Sequence, residues 1–140
     1  MNLQFVHSVF ILRHKGENGG KKLLKIVDFE KAIAKAKELA ESKLTKHENA
    51  DEFVEIGNAD GFKIYVTAGK TIEDKSQVFH ENLRDVFMLM LQGEIELRFE
   101  KGEKTIGKTN ECFVLPKHTK HKCVFKEMTI AVEGVYEKGL

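Results

Sequence analysis

Six histidines are the residues of this 140-residue chain best equipped for chemistry: His7, His14, His47, His80, His118 and His121. Neutral imidazole nitrogen is a good ligand for Fe, Mn, Zn, Ni or Cu, and histidines on separate strands can converge on one divalent ion. Three of the six flank apolar, strand-like segments. His80 precedes the run 86–91 (VFMLML), while His118 and His121 follow Pro116 in the segment 115–121 (LPKHTKH). Cys123 stands two residues beyond His121, so alternation along a strand turns its sulfur to the same side. As a thiolate it favours Zn, Cu(I) or Fe; as a free thiol it is a small apolar core group. The histidines carry a second reading too: a buried imidazole often does no more than satisfy polar neighbours, and a loop histidine such as His118 is often only solvated. His7, His14 and His47 have no such context and read as structural or solvated.

Other chemistries find no support in the sequence. There is no nucleophile elbow, phosphate-cradling glycine loop or basic–aromatic nucleic-acid pattern. The residue four after His80 is Arg84, so His80-Glu81 does not open a zincin motif. Cys112 and Cys123 are too few for a disulfide-dense scaffold or a four-cysteine zinc module. They flank the Pro116 turn and can face one another across neighbouring strands, although a disulfide there would be unusual in a mesophile's cytosol.

The elements that must position these residues follow from hydrophobic periodicity. A helix is expected over 28–46, capped by Asp28, with Phe29, Ile33, Ala36, Ala40 and Leu44 on its apolar face, widened by Ala32 and Leu39. From residue 51 the period becomes two. Strands are expected over 53–56, 62–66, 86–91, 94–100, 104–107, 112–115, 121–125 and 128–132, parted by glycine-containing turns. In 94–100 the alternation puts Ile95, Leu97 and Phe99 inside and the charged residues, Glu96 among them, in water. The apolar start, 1–13, lacks a basic leader and a small-residue cleavage site and reads as a first strand, followed by a turn at 16–20 (GENGG). No run is long enough to span a bilayer, and a net charge of +1 gives no electrostatic case for nucleic acid or anionic lipid. A cytoplasmic protein is the expectation.

The region from about 51 to 135 resembles the cupin superfamily, whose two motifs run G-x5-H-x-H-x3,4-E-x6-G and G-x5-P-x-G-x2-H-x3-N. Gly93 resembles the closing glycine of the first, and His80 then falls on its first histidine. Pro116 and His121, five residues apart, match the second. The second histidine of the first motif falls on Asn82 and its glutamate on Val86, with Asp85 turned to the opposite face. Asn110 and His118 stand where the second motif has glycines, and Phe125 where it has asparagine.

The resemblance implies a mainly all-β fold, a double-stranded β-helix or jelly-roll barrel with one N-terminal helix. Residues 1–50 would be a strand and helix packed on a barrel formed by 51–140, one structural domain in all. It implies a site holding one divalent transition metal (Fe, Mn, Zn, Ni or Cu) through His80 and His121, with Asn82, His118 and Cys123 as weaker candidates. Strand parity then puts Val86, Met88 and Met90 inside with Cys123 and Phe125 opposite, an apolar pocket with Met88, Met90 and Phe125 as walls. Three functions stand open: binding of a small-molecule ligand with or without the metal, a metal-dependent oxygenase or isomerase, and a filled structural barrel. Phe87, Leu89 and Leu91 on the outward face require cover, and a homodimer is expected.

Overall fold

The computed structural model describes residues 12–15, 24–74 and 77–136. Most of the expected first strand, His7 and the turn at 16–20 lie outside the described residues. Where the chain is described it forms β1 (Leu12–Lys15), paired antiparallel with β2 (Leu24–Val27), a strand that periodicity did not suggest.

The helix α1 (Phe29–Thr45) begins where its cap demands. The Lys31 N–H donates to Asp28 Oδ1 at 3.1 Å, which satisfies one of the free amides of the first turn. Its contact line is narrower than the expected stripe: Ala32, Ala36 and Ala40 are completely buried. Small side chains at this spacing let the helix lie close on Val54, Val66, Ala68 and Ile130 of the sheet beneath. Phe29, expected inside, is exposed; it is the first helical residue, one turn ahead of the buried line of alanines.

Eight further strands build two facing sheets. β3 (Ala50–Ala59), β4 (Phe62–Lys70), β10 (Thr129–Tyr136), β5 (Val86–Gln92) and β8 (Cys112–Leu115) lie in that order in a five-stranded antiparallel sheet. β7 (Lys104–Gly107), β6 (Ile95–Phe99) and β9 (His121–Val124) form the second. Period-two alternation gives each sheet an apolar inner face, and the two faces share one core of Phe53, Tyr65, Met88, Met90, Leu97 and Phe125 with their neighbours. The helix covers the outer face of the larger sheet. No helix among the described residues is long and apolar enough to cross a membrane.

The turn from β5 into β6 requires its glycine. Gly93 has φ +80°, and a Cβ there would lie 2.7 Å from Thr129 Oγ1 and 3.0 Å from the Met128 carbonyl. At two other turns the chain keeps a left-handed backbone without glycine, at Asn110 (φ 72°) and His118 (φ 60°). One expectation fails outright: Glu96 does not face water but is only 4% exposed. Arg98 Nε donates to its Oε2 at 2.6 Å, Lys104 and Lys126 approach within 4 Å, and Arg98 Nη1 reaches Asp74 Oδ2 at 2.8 Å. Burial under these cations is tolerable because the carboxylate is multiply paired, and the Arg98 hydrogen bond lowers its pKa. The two cysteines do not pair. Both are free, Cys112 exposed on the larger sheet and Cys123 buried on the smaller.

Candidate functional site

The tertiary structure brings His80 and His121 side by side. His80 lies outside the named strands but bridges β9: each residue's N–H donates to the other's carbonyl at 2.9 Å. This extends the smaller sheet by one rung and fixes both backbones. The imidazoles are in contact, with ring centroids 4.5 Å apart and planes inclined at 58°.

Each ring is oriented from behind. His121 Nδ1 is 2.7 Å from the Thr119 carbonyl oxygen, which can only accept, so Nδ1 carries the proton. His80 likewise has a hydrogen bond with the Val78 backbone, and its Nε2 has no partner, so Nδ1 makes that bond. The outcome is two buried Nε2 atoms without a hydrogen-bond partner. Burial holds both rings neutral: it lowers the His80 pKa to about 4, with the neighbouring His121 adding repulsion, and lowers that of His121. A neutral imidazole whose Nδ1–H is engaged offers an Nε2 lone pair, the form in which histidine binds a metal or accepts a ligand's hydrogen bond.

Asn82 joins this pair as a third unsatisfied group. It is 6% exposed, and neither its amide oxygen nor its amide nitrogen has a partner. Its backbone is tied to the 116–121 loop, since the His118 N–H donates to the Asn82 carbonyl at 2.8 Å. The same loop is pinned by Asp85, whose Oδ1 accepts the Lys117 N–H at 2.8 Å.

The weaker ligand candidates lie elsewhere. The His118 side chain is exposed, with Nδ1 4.0 Å from Glu81 Oε2. Cys123 is a core residue, and burial first, then the charges of Asp51 and Glu133, push its thiol pKa up. A thiol that keeps its proton is an apolar filler rather than a soft ligand. Met88 and Met90 are fully buried and pack in the interior core. The Phe125 ring rests on Gly69, where a Cβ would come within 2.8 Å of it; the Thr71 N–H donates to the Phe125 carbonyl at 2.7 Å, and the Phe125 N–H donates to the Thr71 Oγ1 hydroxyl at 3.0 Å. Among the described residues no three His, Cys, Asp or Glu side chains are grouped as a metal would require.

Sequence reasoning missed three polar residues. Arg84 has Nε and Nη2 shut off from solvent with no partner. Glu133 sits on the inner face of β10, in register with Met88 and Tyr65, 1% exposed and with Oε2 unpartnered. Asp51, on the same side of β3 as the core residue Phe53, has its pKa raised by burial and by Glu52 to about 7. A carboxyl inside an apolar run carries a sequence signal, since Glu133 interrupts the run 129–135 (TIAVEGV) where alternation calls for a core residue. Arg84 carries none. A groove of about 260 Å³, lined by Glu94, Glu96, Ile106, Val124, Lys126 and Glu127, opens on the outer face of the smaller sheet, the side away from His121 and Cys123.

No protein-family model and no curated protein matches the chain. Solved structures do. The EutQ protein of Clostridium difficile is 10% identical, the match covering 84% of this chain and 90% of EutQ with a TM-score of 0.63. A cupin-2 domain protein from Shewanella frigidimarina is 17% identical over 67% of this chain and 88% of its own, with a TM-score of 0.54. The iron(II) form of HppE is 12% identical over 62% of this chain and 50% of that one, with a TM-score of 0.54. The likeness shows the fold: the chain has a cupin-type jelly roll.

Proposed function

We propose that this protein binds a small organic ligand at the mouth formed by His80, Asn82 and His121, and that the two imidazoles hold a divalent transition metal there. The observation that supports this is the pair of buried Nε2 lone pairs, each aimed by a hydrogen bond on the opposite ring nitrogen and each without a partner. The donor set fits a borderline metal such as Fe, Mn, Zn, Ni or Cu, with the unpartnered Asn82 Oδ1 as a third, neutral donor. HppE, which shares the fold, is an iron(II) protein in one of its structures. A bound metal would act as a Lewis acid toward a ligand oxygen. The chain's own residues orient that ligand: Asn82 offers both a donor and an acceptor, and the Met88 and Met90 core supplies an apolar floor that excludes water. The free thiols of Cys112 and Cys123 suit a reducing cytoplasm.

The test is elemental analysis of purified, tag-free protein before and after dialysis against a chelator, for wild type, His80→Ala and His121→Ala. About one equivalent of a transition metal in the wild type, lost in either variant, is the expected result. Metal below stoichiometry that is not restored by adding it back would remove the metal from the proposal. A thermal-shift screen of small molecules whose hits are indifferent to His121→Ala would remove the ligand site as well.

A further inference from the structure

Arg84 lies two residues beyond Asn82, between the His80 bridge and β5. We infer, resting on the ligand site proposed above, that the ligand carries a carboxylate or phosphate group and that the Nε–Nη2 edge of Arg84 receives it.

A guanidinium is always charged, and its Nε–H and one Nη–H project in parallel from a single edge, a match for two oxygens of one anion. In Arg84 both atoms of that edge are buried and neither meets an acceptor. The neighbouring carboxylates lie toward other groups. Glu81 faces His118 at 4.0 Å, and Asp85 accepts the Lys117 backbone N–H at 2.8 Å. Among the described residues no carboxylate pairs with Arg84. Arg98 shows how this chain treats an arginine that serves the fold, since its Nε meets Glu96 at 2.6 Å and its Nη1 meets Asp74 at 2.8 Å. The residue as a whole is half-buried, so the cost lies in these two donors: a buried N–H of a charged group with no acceptor is destabilising unless something outside the chain supplies one. The unpartnered set on one short stretch and its bridge partner therefore divides by role: Arg84 supplies the positive donor edge, Asn82 a neutral donor and acceptor, and His80 and His121 acceptor lone pairs. A cationic or a purely apolar ligand would leave the Arg84 edge unmet.

The experiment follows the Arg84 Nε–H resonance in ¹H–¹⁵N spectra, assigned by its disappearance in Arg84→Lys. Wild-type protein is titrated with sodium acetate and, separately, with inorganic phosphate, each against sodium chloride of equal ionic strength. The expected result is a saturable shift of that resonance with one anion or both. Binding should be at least tenfold weaker in Arg84→Gln and less weakened in Arg84→Lys, which keeps the charge and loses the fork. Circular dichroism checks that both variants are folded; should either fail, the wild-type titration alone still decides. No saturable shift, or equal binding by wild type and a folded Arg84→Gln, overturns the inference and leaves the His80–His121 site to its own metal and thermal-shift tests. Anion binding that needs Arg84 but survives in both Asn82→Ala and His121→Ala would uphold the Arg84 site while removing the ligand site on which it was placed.

Discussion

At His118 the backbone turns left-handed (φ 60°), a conformation that crowds any Cβ, and the exposed side chain makes only a 4.0 Å approach to Glu81 in return. The strain is about 1–2 kcal/mol for a residue that is not Gly, Asn or Asp. Replacing His118 by glycine should therefore raise unfolding stability by about 1 kcal/mol, part of the relief being offset by the freer unfolded chain. His118→Ala should not raise it, and urea unfolding separates the two. Asn110 (φ 72°) tolerates the same region, so Asn110→Gly should change little. Inside the barrel, titration carries a definite sign. Burial, then the charge of Asp51, raises the Glu133 pKa well above the usual carboxylate range, so the folded state holds a proton that the unfolded chain has released. Its contribution is fully present below about pH 4 and is lost progressively as pH rises toward the folded value. Glu133→Gln cannot lose that proton. Its melting temperature should gain on the wild type between about pH 5 and pH 8. A difference that stays constant over this range would mean the carboxyl ionises freely in the fold.

The elements explain why the two imidazoles meet. β9 pairs with β6 so that His121 lies opposite Phe99, and the next rung on the other side of β9 is His80 itself. The position of β9 depends on the turns that carry the chain between sheets, and one of these is at Gly93. A methyl group there would require both a left-handed alanine and displacement of Thr129, which accounts for an expected loss of about 2 kcal/mol or more in Gly93→Ala. Urea denaturation measures it; a loss below about 0.5 kcal/mol would show that the turn relaxes freely. The helix plays a different part. Its alanine line closes the outer face of β3 and β4 but contributes no side chain to the histidine pair.

For the whole molecule, one outer region stays uncovered by the helix. Phe62, Phe87, Val114 and Tyr136 are all exposed, and the register of β4, β10, β5 and β8 sets them along one end of the larger sheet, with the Phe62 ring close over Gly134. Such a row is too apolar to be an ordinary solvent face, and a second copy of the chain is the occupant expected on it. Light scattering after size exclusion should report a dimer for wild type and a monomer for the pair Phe87→Glu, Val114→Lys. A monomeric wild type, or a dimer that survives both charges, would locate the contact elsewhere or remove it.

Much of this protein was legible in its residues because the signals are local. The cap at Asp28, the bounds of β7 and β8, and the glycine at 93 all depend on neighbours a few positions away. The resemblance to cupins rests on such local spacings too, and it singled out His80, Asn82 and His121. Only the tertiary structure decided what those residues face. Glu96 reads as a solvated strand residue until Arg98, Lys104 and Lys126 close over it. Phe29 reads as core, yet the fold leaves it exposed while Ala32, Ala36 and Ala40 are buried. Arg84 became a candidate only when the fold buried its polar atoms without supplying partners. Whether a polar atom is satisfied depends on residues dozens of positions away, and that is a property of three-dimensional packing to which local periodicity is blind.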